Sequence, residues 1–346
     1  MPLLLGPAGP RGPRLPARQR LPPLSTADAA RPRAPRLPPD GDDLAALLAR
    51  GELEVLGRIT GSSNVTLLAV CRADGLEVRC VYKPVRGERP LHDFPDGTLA
   101  AREVAAHLVS RGGGWGVVPT TVLRDGPLGP GSVQRWVEPP RGAPLDPEAA
   151  RDGVLEDEDE EDDGLLLGEP GAGLVDVVPL HAVPDGFTGV LDAWGRDGEP
   201  VTLVHAADPR LLSVAVLDVV ANNADRKAGH LLLGRPEAVD PGTEVERGRD
   251  GGDPPVHGID HGLVLHAEGK LRTVLWGFAG EPLPDDQLAA LDRLAGALRG
   301  SLGEALAPLL TAREVRALRT RTDRLLRGAV MPQPPQHRSA VPWPVF

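Results

Sequence analysis

The stretch Asn222-Asn223-Ala224-Asp225-Arg226-Lys227-Ala228-Gly229 decides how this chain is read. It is a polar loop between two apolar segments. Before it, Asp208-Pro209 opens a helix carrying Leu211, Leu212, Val214, Ala215, Leu217 and Val219, with aspartate at the N-cap and proline in the first turn. After it, His230-Leu231-Leu232-Leu233 has the character of a short strand. A carboxylate set in such a loop is exposed enough to accept a proton from an attacking hydroxyl, which gives Asp225 the role of general base. Lys227, two residues on, can stabilise a phosphoryl group in transit.

Working outward, Val256-His257-Gly258-Ile259-Asp260-His261-Gly262 is a short strand followed by a turn that can aim Asp260 at Mg²⁺. Magnesium is satisfied by one or two carboxylates together with substrate phosphates. Upstream, Glu54 to Ile59 and Val65 to Cys71 read as strands and Glu77 to Tyr82 alternates at period two, with Asp74-Gly75 closing the second pair. Lys83 ends the third strand, where its ammonium can reach phosphates if an anion holds it. Glu103, in the helical stretch Leu99 to Ser110, can be that anion. The turn Gly61-Ser62-Ser63-Asn64 can offer backbone N–H groups and hydroxyls to phosphates. Val117 to Leu123 and Ser132 to Val137 read as two further strands, and Asp285 to Arg327 as helical, striped with leucine. These parts are the ones phosphoryl transfer from ATP requires, since its transition state needs positioning and cations more than covalent help.

Lysine usage sharpens the assignment. Lys83, Lys227 and Lys270 are the only lysines among 38 basic residues, so arginine serves almost everywhere else. The lysines that persist are therefore candidates for places needing a compact ammonium.

The order of these motifs resembles the phosphatidylinositol 3-/4-kinase-like branch of the protein-kinase-like superfamily, to which the HipA-type bacterial kinases are related. The Asn-x-Asp-Arg and Ile-Asp-x-Gly loops carry the likeness. Val81-Tyr82-Lys83-Pro84-Val85-Arg86-Gly87-Glu88-Arg89-Pro90, Phe94-Pro95-Asp96-Gly97-Thr98-Leu99 and Leu271-Arg272-Thr273-Val274-Leu275-Trp276-Gly277 are similar to an actinobacterial family labelled as such kinases. The resemblance spans roughly residues 50–285. It implies an α+β, bilobal protein-kinase-like fold with a β-rich N-lobe and a mainly helical C-lobe. It implies ATP and Mg²⁺ as cofactors, with Lys83 on the phosphates, Glu103 as its partner, Asp225 as base and Asp260 as metal ligand. Val133-Gln134-Arg135-Trp136-Val137-Glu138-Pro139 would be the interlobe connection, Trp136 and Val137 holding adenine by backbone hydrogen bonds.

Two positions depart from that pattern. Such kinases carry a metal-binding asparagine five residues after the catalytic aspartate, and here stands His230. Imidazole is a poorer Mg²⁺ ligand than an amide oxygen, which opens Mn²⁺ as the preferred ion. Lys227 replaces the histidine usual in lipid kinases. Two function classes follow: an active kinase of unknown protein or small-molecule acceptor, and a nucleotide-binding pseudokinase acting as a regulatory protein.

Composition sets the outer limits. The chain has 346 residues, 41% hydrophobic and 25% charged, enough for a real core. Aromatics are 3% and the net charge is −11, which disfavours a nucleic-acid partner. An unbroken acidic run, Glu156 to Asp163, supplies most of that charge. It lies in a Pro/Gly-rich stretch, 139–173, read as a disordered insertion between an N-lobe at 44–138 and a C-lobe at 174–327. Residues 1–43, rich in proline and arginine, and the proline-rich 328–346 read as disordered ends. Cys71 and Cys80 read as small buried apolar groups, Tyr82 and Phe94 as packing residues. His257, His261 and His266 fit no standard zinc spacing. Arg86, Arg89 and Arg272 can bind a substrate's phosphate or carboxylate, and surface salt bridges account for them equally. No apolar run reaches the ~20 residues of a membrane span. The start Met1-Pro2-Leu3-Leu4-Leu5 is too short for a signal peptide, and no cationic apron faces a membrane. The expectation is a cytoplasmic monomer.

Overall fold

The computed structural model describes residues 42–59, 64–95, 97–138, 173–195, 197–236 and 253–346. The N-terminal segment read as disordered and the acidic insertion therefore fall outside the described residues, apart from 42–43 and 173.

The architecture is α+β in two lobes. Helix α1 (Asp42–Arg50) precedes strands β1 (Glu52–Arg58), β2 (Leu67–Ala73) and β3 (Leu76–Pro84). Helix α2 (Leu99–Gly113) interrupts them, and β4 (Thr121–Gly126) and β5 (Gly129–Arg135) follow. The five strands form one antiparallel sheet in the order β1-β2-β3-β5-β4. The β2–β3 hairpin turns on Asp74 and Gly75, both at positive φ (51° and 77°), as the two-residue hairpin turn demands of an Asp-Gly pair. Alternation along β3 sends Val78, Cys80 and Tyr82 into a core shared with Leu44, Leu47 and Leu48 of α1. Both cysteines are free and buried there, and Tyr82 donates its hydroxyl hydrogen to the Gly129 carbonyl. The opposite phase of β3 presents Lys83 to the other face, across from Ser132 of β5.

The expected strand at 117–123 starts only at Thr121. Pro119 has no N–H to give a ladder, and residues 117–120 form no strand, the chain bending at Val118. The expected strand 132–137 ends at Arg135. The Trp136 N–H turns to the Arg79 carbonyl (3.0 Å), and β6 (Val137–Glu138) is a separate short strand.

The second lobe begins with a sheet the sequence reading did not assign: β7 (Val175–Pro179), β8 (Phe187–Trp194) and β9 (Pro200–Ala206), ordered β7-β9-β8. Val175, Val177, Val201 and Leu203 face the helical core. Helix α3 (Pro209–Ala221) is capped by Asp208, whose side chain accepts the Arg210 N–H (2.8 Å). Strands β10 (Leu231–Leu233), β11 (Arg235–Pro236) and β12 (Val256–Gly258) follow; β10 pairs β12, and β11 pairs β6 across the lobes. Helices α4 (Asp285–Arg299), α5 (Ser301–Leu306) and α6 (Ala312–Gly328) complete the lobe, Leu291, Leu294, Leu298, Leu306 and Leu318 filling its core. None of the described helices is long and apolar enough to cross a membrane.

The C-terminal segment corrects the sequence reading. Expected to be a flexible tail, it docks. Met331, Val341 and Val345 are buried in the helical core. The Val345 carbonyl accepts the Ala228 N–H (2.8 Å), and the Ala340 carbonyl accepts both the Thr273 N–H (3.0 Å) and the Trp276 indole N–H (2.7 Å). Prolines prevent a helix or ladder, but they leave carbonyls to accept and spaced apolar side chains to bury. Composition alone misses that.

Candidate active site

Lys83 stands at the meeting point of both lobes. Its Nζ donates to Glu103 Oε1 (2.6 Å) and to Asp260 Oδ1 (2.7 Å). Glu103 comes from α2 and is 3% exposed; Asp260 follows β12 and keeps 46% of its side chain open to the cleft. Asp260 is held at φ 57°, ψ 55°, a left-handed conformation costly for a side-chain-bearing residue, before a 3-10 turn at His261–Leu263. Lys83 holds the Asp260 carboxyl well below the usual carboxylate range, against the opposing effect of burial. Burial would lower the lysine, but Asp260 and Glu103 outweigh it and raise Lys83 instead. Burial pushes Glu103 up, with Lys83 opposing.

The position of Glu103 is set from two sides. Glu88, just beyond β3, accepts the backbone N–H groups of Leu99 (3.2 Å) and Ala100 (2.9 Å), so it caps α2 in place of Thr98, which makes no such bond. At the neighbouring turn Arg102 donates to Glu314 Oε1 of α6 (2.7 Å) and to the Val264 carbonyl (2.8 Å), both side chains buried. The strand bearing the lysine and the helix bearing its partner are thus tied by a residue of the intervening loop.

Asp225 is not on the lining of that cleft but lies close to Asp260, with His230 bridging from its backbone carbonyl to the Asp260 carboxylate. Asn222, left-handed at φ 54°, ends α3 and turns the chain. Asn223 is fully buried: its Nδ2 donates to Asp218 Oδ1 (2.8 Å) and its Oδ1 accepts the Asp225 N–H (3.0 Å). Arg226, also fully buried, bonds both carboxylate oxygens of Asp218, donates to the His230 (3.1 Å) and Ile259 (3.0 Å) carbonyls, and lies 2.7 Å from His261 Nε2. One guanidinium therefore ties α3, the Asp225 loop and the Asp260 strand together. Lys227 Nζ is 3.8 Å from Asp225 Oδ2. Burial raises the Asp225 carboxyl above the usual carboxylate value, with Lys227 and His230 opposing.

His230 sits between the two aspartates. Its Nδ1 is 2.8 Å from the Asp225 carbonyl oxygen and its Nε2 3.3 Å from Asp260 Oδ2. Among the described residues no three His, Cys, Asp or Glu side chains gather as a metal cage. His230 and Asp260 therefore offer two donors, a set that a phosphate-bound divalent ion can complete.

The cleft around Lys83 has a volume of about 420 Å³ counted to its open mouth. Asn64, Thr66, Glu88, Glu103, Ser132 and Asp260 contribute polar walls. Two buried atoms on its lining, Ser132 Oγ and Glu103 Oε2, have no hydrogen-bond partner among the described residues, and such groups call for a polar occupant. Asn64 also accepts the Arg89 N–H (2.9 Å), which anchors its turn to the loop after β3. Ser62 and Ser63 lie outside the described residues. Trp136 and Val137 are not part of this lining and stand at the β6–β11 junction.

Of the residues singled out in the sequence, Lys83, Glu103 and Asp260 meet directly, His230 touches Asp260 and the Asp225 backbone, and Lys227 lies beside Asp225; their supports were missed. Asp218 was detectable as the one carboxylate in the apolar run Leu217-Asp218-Val219-Val220. Nothing local signals Glu88, Ser132 or the Arg102–Glu314 pair.

An antiparallel sheet with a lysine on its third strand, paired to a glutamate on the next helix and set above two loop aspartates, is a protein-kinase-like arrangement. The chain belongs to the family of Protein Rv2133c of Mycobacterium tuberculosis (strain ATCC 25618 / H37Rv), to which it is 48% identical over 305 residues, 88% of this chain and 96% of that one. No family model matches the chain. Among solved structures it is similar to the Helicobacter pylori proinflammatory kinase CtkA, at 10% identity and a TM-score of 0.38 over 82% of this chain and 94% of that one. It is also similar to hydra Fam20 with sugar, at 14% identity and a TM-score of 0.34 over 86% of this chain and 91% of that one.

Proposed function

We propose that the chain is an ATP- and divalent-metal-dependent phosphotransferase acting on a hydroxyl acceptor, of the type found in phosphatidylinositol 3-/4-kinase catalytic domains. The observation that carries this reading is the double engagement of Lys83 by Glu103 (2.6 Å) and Asp260 (2.7 Å) in a polar cleft, with Asp225 joined to Asp260 through His230. A structural ion pair needs one carboxylate, whereas a phosphate site needs a fixed ammonium next to a metal-binding carboxylate.

The residues present suit the implied groups. Unpartnered Ser132 Oγ and Glu103 Oε2 face the cleft, and Asp260 with His230 provides two donors for an ion. Mg-ATP, when bound, supplies an activated phosphoryl group with its charge partly neutralised. Lys83 orients the phosphates, and Glu103 keeps its ammonium in place. Asp225 takes the proton of the acceptor hydroxyl as the oxygen–phosphorus bond forms and ADP departs. Lys227 offsets negative charge beside it.

Calorimetry and an ADP-release assay on the full chain, with Mg²⁺ and with Mn²⁺, test the proposal. ATP should bind, and Asp225→Ala should abolish turnover while nucleotide binding persists. Lack of any heat with ATP would refute the reading. A second reading, the nucleotide-binding pseudokinase, is favoured by His230 in the second ligand position. Tight ATP binding without turnover under either ion would establish it.

A further inference from the structure

Among the described residues, Arg272 stands beside the Asp225 loop with its guanidinium unpartnered. Residues 270–274 run along that loop. The Arg272 N–H donates to the Asn223 carbonyl (2.8 Å), the Arg272 carbonyl accepts the Arg226 N–H (3.1 Å), and Arg226 and Thr273 form a parallel bridge. The docked tail holds the other edge through the Thr273 N–H to Ala340 carbonyl bond (3.0 Å). This backbone is therefore fixed relative to Asp225 and does not swing free.

The cations it carries or faces differ in their engagement. Lys270 Nζ is bound to Asp93 Oδ2 (2.7 Å), and Lys227 lies beside Asp225. The Arg272 guanidinium has no hydrogen-bond or ion-pair partner among the described residues, although the residue is half-buried. It is close enough to Asp225 for its charge to oppose the effect of burial there. Half-burial removes water from a guanidinium, and leaving it unpaired forgoes the bidentate bonds that its planar fork forms with carboxylates and phosphates. Arg338 of the tail approaches the same strand, its Nη2 3.5 Å from the place a Cβ on Gly269 would occupy.

We propose that Arg272 is the anion subsite of the acceptor, so that the molecule whose hydroxyl meets Asp225 carries a phosphate or carboxylate a few bonds from that hydroxyl. This rests on the phosphotransferase reading. The transfer itself is unchanged: the acceptor oxygen bonds the γ-phosphorus, the bond to ADP breaks, the proton passes to Asp225, and Arg272 only holds the anion. A single half-buried arginine suits a compact anionic group. An acidic peptide would need a row of exposed cations, on a chain whose net charge is already −11.

The test uses the full chain saturated with a non-hydrolysable ATP analogue and Mn²⁺. It is titrated calorimetrically with sn-glycerol 3-phosphate, glycerate, glycerol, and vesicles of phosphatidylcholine with and without phosphatidylinositol. At least one anionic probe should bind saturably and glycerol should not. Arg272→Gln should weaken that binding at least tenfold, and Arg272→Lys should recover part of it. Arg272-dependent binding confined to phosphatidylinositol vesicles identifies a lipid headgroup as the anion's source, whereas binding of the soluble probes identifies a metabolite. Binding of glycerol as tight as its phosphate, no binding of any anion, or an unaltered Gln variant would overturn the inference. Nucleotide binding is read first: its absence defeats the phosphotransferase reading itself, while nucleotide binding without anion dependence defeats only the role of Arg272.

Discussion

His230 Nε2 stands 3.3 Å from Asp260 Oδ2, while the other nitrogen of its ring is 2.8 Å from the Asp225 carbonyl oxygen. A carbonyl can only accept, so Nδ1 carries the hydrogen and Nε2 presents its lone pair to the carboxylate. Burial lowers the His230 pKa, which keeps the ring neutral. Two electron-pair donors facing one another need a cation between or beside them, and Lys83, 2.7 Å from the other oxygen of the same carboxylate, is one. A divalent ion bound with the nucleotide, as proposed above, would meet in His230 and Asp260 a mixed nitrogen–oxygen pair of donors.

The first prediction concerns which ion completes that pair. First-row divalent ions take imidazole nitrogen more readily than Mg²⁺ does. ATP turnover should be several-fold faster with Mn²⁺ than with Mg²⁺, and His230→Asn should shift the ratio toward Mg²⁺ by at least fivefold. Initial rates across both ions decide it; an unchanged ratio in the variant removes His230 from the ligand set.

A second prediction separates chemistry from scaffolding. Arg226 and Asp218 are both 0% exposed, and no water can solvate either charge once its partner is gone. Arg226→Met should cost about 3–5 kcal/mol of stability, as breaking a buried pair does. Asp225→Asn, at a partly open position, should change stability little and lower turnover by about 10²–10⁴. Urea titrations alongside ADP-release rates would show the two losses falling on different variants.

The contrast explains what was legible in the sequence. Lys83, Asp225 and Asp260 are visible because a lone lysine at the end of a strand and aspartates in loops after apolar segments stand out by residue type. The β2–β3 hairpin is visible because its turn admits few sequences. Glu88 is invisible for the opposite reason: its function is to accept two N–H groups from a helix eleven residues away, and any loop glutamate looks the same. The sheet of β7 to β9 went unassigned because β8 leaves Leu191 and Trp194 half or more exposed, which blurs its alternation. The tail misled because low-complexity composition reports on secondary structure and is silent about docking.

Glu88 yields a third prediction. Glu88→Ala leaves the first turn of α2 uncapped and should cost about 1 kcal/mol, the usual loss for an N-cap. Because the same helix carries Glu103, the ATP dissociation constant should weaken several-fold as well. Glu88→Gln keeps an acceptor oxygen and should restore most of the affinity. An Ala variant that loses stability while binding ATP normally would show that the cap does not position Glu103.

The last prediction follows from buried imidazoles. Burial is the leading cause that lowers the pKa of His205, His230 and His261, the last well below its ordinary value. The unfolded chain takes up these protons near pH ~6.5, whereas the folded chain does so only at lower pH. Below that point the unfolded state holds more protons, so stability falls as pH falls. Glu103 and Asp225, raised by burial, act in the other direction because their folded forms protonate first. A single stability curve therefore mixes both contributions, and a variant is needed to isolate one. His261 Nε2 accepts from Arg226, and a glutamine amide oxygen can do the same without ever binding a proton. His261→Gln should be equal to or less stable than the natural chain at pH 7, and the gap should narrow or invert by pH 5. Melting temperatures at half-unit steps of pH measure it. Two parallel curves would show that His261 takes up no proton on unfolding, and that the acid sensitivity lies with the other histidines.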